Sequence, residues 1–175
     1  MKAFFKPCCL GLMLALAVPA AALDLTQHAF FKHLIGEWEA EGELKGENDS
    51  IVTVTQTWTG RVDAEDTFSI EGSRTVNQDT QKFVWTYVNN PATGIMEATL
   101  SGGDGQPLRF EVSYSEVTQV MELKAITGNG TGSIMIEDAL EAGDPAVLKS
   151  KVTFTGDQGQ TTLQGVITHK RRKSA

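Results

Sequence analysis

Two residues, Arg74 and His169, fall in an apolar phase that does not suit their chemistry. Phe68, Ile70, Gly72 and Val76 recur at every second position, and Arg74 recurs with them. In a strand, residues two apart share a face, so the guanidinium would point with the apolar side chains. A buried cation is costly unless paired. Arg74 must therefore meet a carboxylate, backbone carbonyls or a ligand anion, or else snorkel to water from the strand end. His169 follows Leu163, Gly165 and Ile167 at the same period. Tyr87 and Tyr114 are also in phase with apolar neighbours, where their hydroxyls could orient a polar ligand group or their rings simply pack. No nucleophile is nominated. The chain has no Gly-x-Ser-x-Gly elbow, no phosphate loop, no His-Glu-x-x-His, and no carboxylate pair isolated on an apolar face. His28 and His33 are five apart on a short segment and do not share a helix face well, which argues against a metal site. The Asp- and Gly-bearing turns lack calcium-loop spacing. Binding is the stronger reading than catalysis.

The elements that must position these residues are strands. Residues 37–44 read Glu-Trp-Glu-Ala-Glu-Gly-Glu-Leu. Period two sends Glu37, Glu39, Glu41 and Glu43 to water and Trp38, Ala40, Gly42 and Leu44 inward, a pattern that no helix sorts. The alternation recurs at Phe83, Trp85 and Tyr87, at Leu108, Phe110, Val112 and Tyr114, at Met121 and Leu123, at Ile134 and Ile136, and at Val152 and Phe154. Turn residues such as Asn77-Gln78-Asp79, Gly102-Gly103-Asp104-Gly105 and Asp157-Gln158-Gly159 separate these runs. The pattern predicts about ten short strands in one all-β domain, an antiparallel up-and-down sheet that closes into a barrel and so removes its edges. Ahead of the first strand, Leu25, Phe30, Phe31, Leu34 and Ile35 predict a short helix or 3₁₀ turn over 25–35, capped by Asp24 or Thr26 and stopped by Gly36.

The N-terminus reads as an address. Lys2 and Lys6 precede an apolar run from Cys8 to Val18, and Pro19-Ala20-Ala21-Ala22 supplies small residues for cleavage. Residues 1–22 are therefore expected to be a cleaved secretory signal, too short to span a bilayer, with the protein periplasmic or secreted. Both cysteines lie in that segment, so the mature chain is expected to form no disulfide and to hold no thiolate-ligated metal. Removing Lys2 and Lys6 with the segment leaves 13 basic residues against 22 acidic ones, a net charge of −9. Such a surface disfavours nucleic acid and anionic membranes, and no stable membrane insertion is expected. The domain is expected over 23–170, with a basic tail at 171–175 in the run Lys170-Arg171-Arg172-Lys173.

The segment Phe31-x-x-Leu34-x-Gly36-x-Trp38-x-x-x-Gly42 resembles the opening of the calycin superfamily, which includes lipocalins and fatty-acid-binding proteins. With the Thr57-Trp58 strand and the turn from Tyr87 to Gly94, it looks most like a bacterial lipocalin-like family of unknown function. That resemblance implies a barrel closed at one end by the helix, Gly36 and Trp38, with a small hydrophobic or amphipathic ligand entering from the other end. Trp58, Phe68, Phe83, Trp85, Tyr87, Phe110 and Tyr114 would surround the ligand, and Arg74 would hold its carboxylate, as interior arginines do in fatty-acid-binding proteins. No cofactor is expected on this reading. A filled barrel with a structural or interaction role is one alternative. A second follows from a likeness to the haem-binding nitrobindins, which have a similar length and opening and carry their proximal histidine near the C-terminus. It would make His169 a haem ligand, although their opening is richer in glycine than this one, with its Ala40 and Glu43. The adjoining basic run suggests instead that His169 leaves the barrel for solvent.

Overall fold

Wherever the two-residue period runs, a strand forms, and each strand pairs antiparallel with the next. The computed structural model describes residues 24–90, 94–103, 105–126 and 132–173; the proposed export segment 1–22 lies outside them. After helix α1 (Ala29–Leu34) come β1 (Gly36–Gly46), a 3₁₀ turn (Glu47–Asp49), β2 (Ile51–Ala64), β3 (Thr67–Val76), β4 (Asp79–Asn90) and β5 (Ile95–Gly102). They are followed by β6 (Leu108–Ser115), β7 (Val120–Ala125), β8 (Ser133–Glu141), β9 (Asp144–Thr155) and β10 (Thr161–Arg171). β10 returns to pair with β1, from Trp38 opposite Arg171 to Gly46 opposite Leu163, and so closes the barrel. Every strand then has two partners, and no edge is left to recruit another chain.

Glu37, Glu39, Glu41 and Glu43 are exposed, while Trp38, Ala40 and Leu44 are buried. The outward charges pair across neighbouring strands, as in Arg61 with Glu71, Arg109 with Glu97 and Lys151 with Glu137. All are solvent-exposed pairs that contribute little to stability. The core lies inside, with Phe30, Phe31, Trp38, Phe68, Phe110, Met121 and Leu123 each at most 1% exposed.

The helix is shorter than its apolar pattern predicts. Asp24 spends its carboxylate on the preceding turn, accepting from the Thr26 N–H at 2.8 Å, and the Gln27 N–H bonds the Asp24 carbonyl. His28 is extended (φ −65°, ψ 120°), and α1 begins after it with no side-chain cap. Tertiary contacts hold the helix instead. The Leu25 N–H donates to the Glu65 carbonyl at 2.7 Å, and Leu25, Phe30, Phe31 and Leu34 are buried. Gly36, at φ +114°, lets the chain turn from helix into β1.

The last turn of a helix leaves carbonyls without intrahelical donors. Here Trp38 Nε1–H donates to the Leu34 carbonyl at 3.1 Å, and the Arg171 guanidinium donates to the His33 carbonyl. The Leu34 carbonyl sits over Gly60, where a Cβ would stand only 2.2 Å from it. Arg171, placed by sequence in a tail, is the last residue of β10, and its guanidinium lies 5.1 Å from the Trp38 ring centre. Trp38 thus plugs the barrel and caps the helix together. Trp38→Ala should lower unfolding free energy by about 3–5 kcal/mol in urea denaturation. Trp38→Phe, which fills part of the space but donates nothing, should lose about 1–3 kcal/mol. A loss under about 1 kcal/mol for the alanine variant would show that the plug does not hold this end.

Candidate functional site: the barrel interior

The side chains that point inward do not fill the barrel. They surround a cavity of about 360 Å³, a size that suits a small organic molecule. It runs from Leu34 and Trp58 beside α1 to Leu44, Val76, Leu108 and Leu163 at the opposite end, and its walls are mainly apolar.

Six of the eight predicted ligand residues line it: Trp58, Arg74, Phe83, Trp85, Tyr87 and Phe110. Phe68 and Tyr114 do not. Both point inward, but at the closed end, where α1 occupies the space. Phe68 packs on Phe31 with ring centres 4.8 Å apart. Tyr114 meets His28 edge-on at 4.7 Å and Phe30 at 5.7 Å. Period two assigns a face; it does not say how far the helix reaches down. Gly36 and Trp38 lie at the closed end, as the opening motif implies.

Arg74 is half-buried, with its guanidinium 6.0 Å from the Phe83 ring centre. Among the described residues it forms no ion pair, and burial lowers its pKa. In register it sits between Gln56 on β2 and Gln81 on β4, of which Gln56 also lines the cavity.

His169 does not leave the barrel. It is 6% exposed and lines the cavity, because β10 holds its register with β1 through the basic run. Trp58 Nε1–H donates to His169 Nδ1 at 3.0 Å, and Ser150 Oγ lies 3.0 Å from His169 Nε2. Ala40 on β1 is level with His169, and so small a side chain leaves room for Trp58 on β2 to reach past it. An indole N–H can only donate, so Nδ1 accepts and the imidazole proton sits on Nε2, donating to Ser150 Oγ. Ser150 stands directly opposite Asp138 across β8 and β9, and its hydroxyl is the neighbour that favours the ionised Asp138 carboxyl. A directed chain therefore runs from Trp58 through His169 to Ser150, with the Asp138 carboxyl beside its end.

Asp138 and Ser150 escaped the sequence reading, although the same signal marks them. Asp138 extends the Ile134, Ile136 phase by one step, and Ser150 extends that of Val152 and Phe154. Burial pushes Asp138 up to about 6 and His169 down to about 4. Burial and the Asp138 charge together raise the Tyr87 phenol.

This arrangement looks like a serine–histidine pair but runs backwards. With Nε2 protonated, His169 donates to Ser150 and cannot accept its proton, so Ser150 is not activated as a nucleophile. Nor do these residues fit a haem. Coordination through Nε2 would need the proton moved to Nδ1, where it would face the Trp58 N–H donor to donor. Among the described residues, no three His, Cys, Asp or Glu side chains gather to hold a metal.

The two pKa displacements have opposite consequences for stability. Asp138 titrates higher in the fold than when unfolded, so its stability contribution is whole below about pH 4 and declines as pH rises through about 6. His169 titrates lower in the fold, so its contribution is whole above about 6.5 and is lost as pH falls through about 4. Asp138→Asn removes only the first of these. The variant should gain on the parent between about pH 4 and pH 8, by about 2–3 kcal/mol in chemical denaturation. A gap that stays constant with pH would show that Asp138 is not held in its neutral form by burial.

No family model matches the chain, and no curated protein matches it. Among solved structures, the chain is similar to the S-type phycobiliprotein lyase of Guillardia theta, with a TM-score of 0.58, 10% identity, and coverage of 83% of this chain and 92% of that one. Weaker likenesses are to a redesigned β-barrel bound to DFHBI (TM-score 0.39, 9% identity, coverage 79% and 99%) and to a de novo fluorescence-activating barrel (TM-score 0.39, 10% identity, coverage 81% and 95%). At this identity the likeness to the lyase shows a shared fold alone, a closed antiparallel β-barrel.

Proposed function

We propose that this protein is a binding barrel of the bacterial lipocalin-like kind, exported by its N-terminal segment to act in the periplasm or outside the cell. It takes a small hydrophobic or amphipathic molecule into the cavity, from the end opposite α1. The observation that carries this reading is the cavity itself. Its apolar walls offer a ligand more than packing contacts, because Arg74 stands among them without an ion partner among the described residues. A barrel with a purely structural role would be expected to fill that space. A ligand carboxylate at Arg74 would regain the charge-assisted hydrogen bonds that the half-buried guanidinium lacks. The exposed glutamates of β1 and the charge pairs outside the barrel do not suit a lipid-facing surface, which favours a barrel working in water. The fold shared with the phycobiliprotein lyase supports a closed barrel of this outline.

Organic extraction of the protein from its native envelope, followed by mass spectrometry, should recover a bound small molecule. The purified protein should bind the neutral apolar fluorophore prodan. Ile136→Trp, which fills the middle of the cavity, should weaken prodan at least about tenfold while changing stability by no more than about 1–3 kcal/mol. An empty extract together with no prodan binding overturns the reading. Arg74→Met should weaken decanoic acid about tenfold and spare decanol; equal loss of both would make Arg74 a structural residue.

A further inference from the structure

Besides the Arg74 guanidinium, the cavity contains a polar atom that neither the fold nor a purely apolar ligand accounts for. Asp138 is 8% exposed and lines the cavity. Its Oδ1 has no hydrogen-bond partner among the described residues. The chain from Trp58 runs as far as Ser150 and does not need a charge beside it. An asparagine carbonyl of the same size would offer Ser150 an acceptor equally well, without a buried anion. No lysine or arginine among the described residues pairs with Asp138. A cavity water could satisfy Oδ1, yet it would satisfy an amide oxygen just as well. The charge is therefore left over once the fold's own hydrogen bonds are accounted for, at the inner end of an open apolar cavity.

We propose that Asp138 recognises a basic nitrogen, so that the ligand is an amphipathic amine whose protonated N–H end enters first and rests against Oδ1. This rests on the barrel's being a binding site and names the chemistry of its inner end. The cost of desolvating the carboxylate is already met in the free protein, so binding adds only the amine's own desolvation. A charge-assisted hydrogen bond in low dielectric offsets it. The other interior charge orients the ligand. Arg74 repels a nitrogen cation and accepts an anion, so the amine is directed to Asp138 and any acidic group is left at Arg74. Positive and negative ends of the cavity are thus supplied by β3 and β8.

The test titrates the protein at neutral pH with decylamine and with decanol, following the fluorescence of Trp58 and Trp85 in the cavity wall, and repeats both titrations with Asp138→Asn. The parent should bind decylamine at least about tenfold tighter than decanol, and the asparagine variant should bring the ratio close to one with decanol unchanged. Equal affinities in the parent, a preference that survives in the variant, or equal loss of both ligands on substitution would each overturn the assignment. If decylamine fails while decanol and prodan bind, this proposal falls and the binding reading stands. If none of the three binds, both fall.

Discussion

Trp38 and Trp58 lie face to face, 5.1 Å between ring centres and 8° from parallel, and the closed end of the barrel is arranged about that contact. They are register partners on β1 and β2, so backbone pairing alone brings the indoles together. Their two N–H groups then point to different tasks. Trp38 donates to the Leu34 carbonyl and ties α1 to the barrel end. Trp58 donates to His169 and sets the proton positions of the polar chain below it. The same stack seals one end and organises the inner surface of the cavity. This explains why a six-residue helix without a side-chain cap keeps its place. Helices this short are marginal alone, and what holds α1 is four buried side chains and the contacts of Trp38 and Arg171.

The interior is polar in two separate places for different physical reasons. Beside the Trp pair, each N–H in the chain from Trp58 through His169 to Ser150 has a defined direction, because the first donor has no other role open to it. Around Arg74 there is no such network among the described residues, only an aromatic ring and two glutamines level with it. The first group is preorganised and deeply buried, and the second keeps some access to water. A ligand group would keep part of its own hydration at Arg74 and lose nearly all of it at Asp138. The inner group is therefore the one that discriminates, while the outer one chiefly orients and admits.

Fold and site were legible in the sequence to different depths. The strands, their faces and the closed barrel follow from period two, because each face of a barrel wall meets only one medium. The motif that holds Gly36 and Trp38 also indicated the end of the barrel at which they stand. The helix boundary was not, since Asp24 could cap either a turn or a helix, and the contact with Glu65 decides between them. Arg74 announced itself by breaking an apolar phase of four residues. Asp138 broke one of only two, Ile134 and Ile136, and Ser150 is too small and mild to break a phase at all. His169 was seen but misplaced, because four basic residues read as solvent-seeking. Arg171 instead spends its charge on the helix carbonyl and the Trp38 ring. Depth along the barrel axis was the dimension missing throughout, and it separates Phe68 and Tyr114 from the residues that line the cavity.

The direction of the hydrogen-bond chain argues for recognition over chemistry at this site. Acid–base catalysis needs a group that can change its proton without rebuilding its surroundings. His169 cannot, since both ring nitrogens are committed and burial holds it neutral down to about pH 4. Asp138 can change its proton, but the neighbour in line with it is a serine already receiving a hydrogen bond from the imidazole. Protonation there would switch one charge on the cavity wall and set nothing else in motion. A rigid closed sheet that carries one such charge among apolar side chains is suited to sorting molecules by the charge they bring to it. That selectivity would justify the cost of burying a carboxylate in the barrel interior.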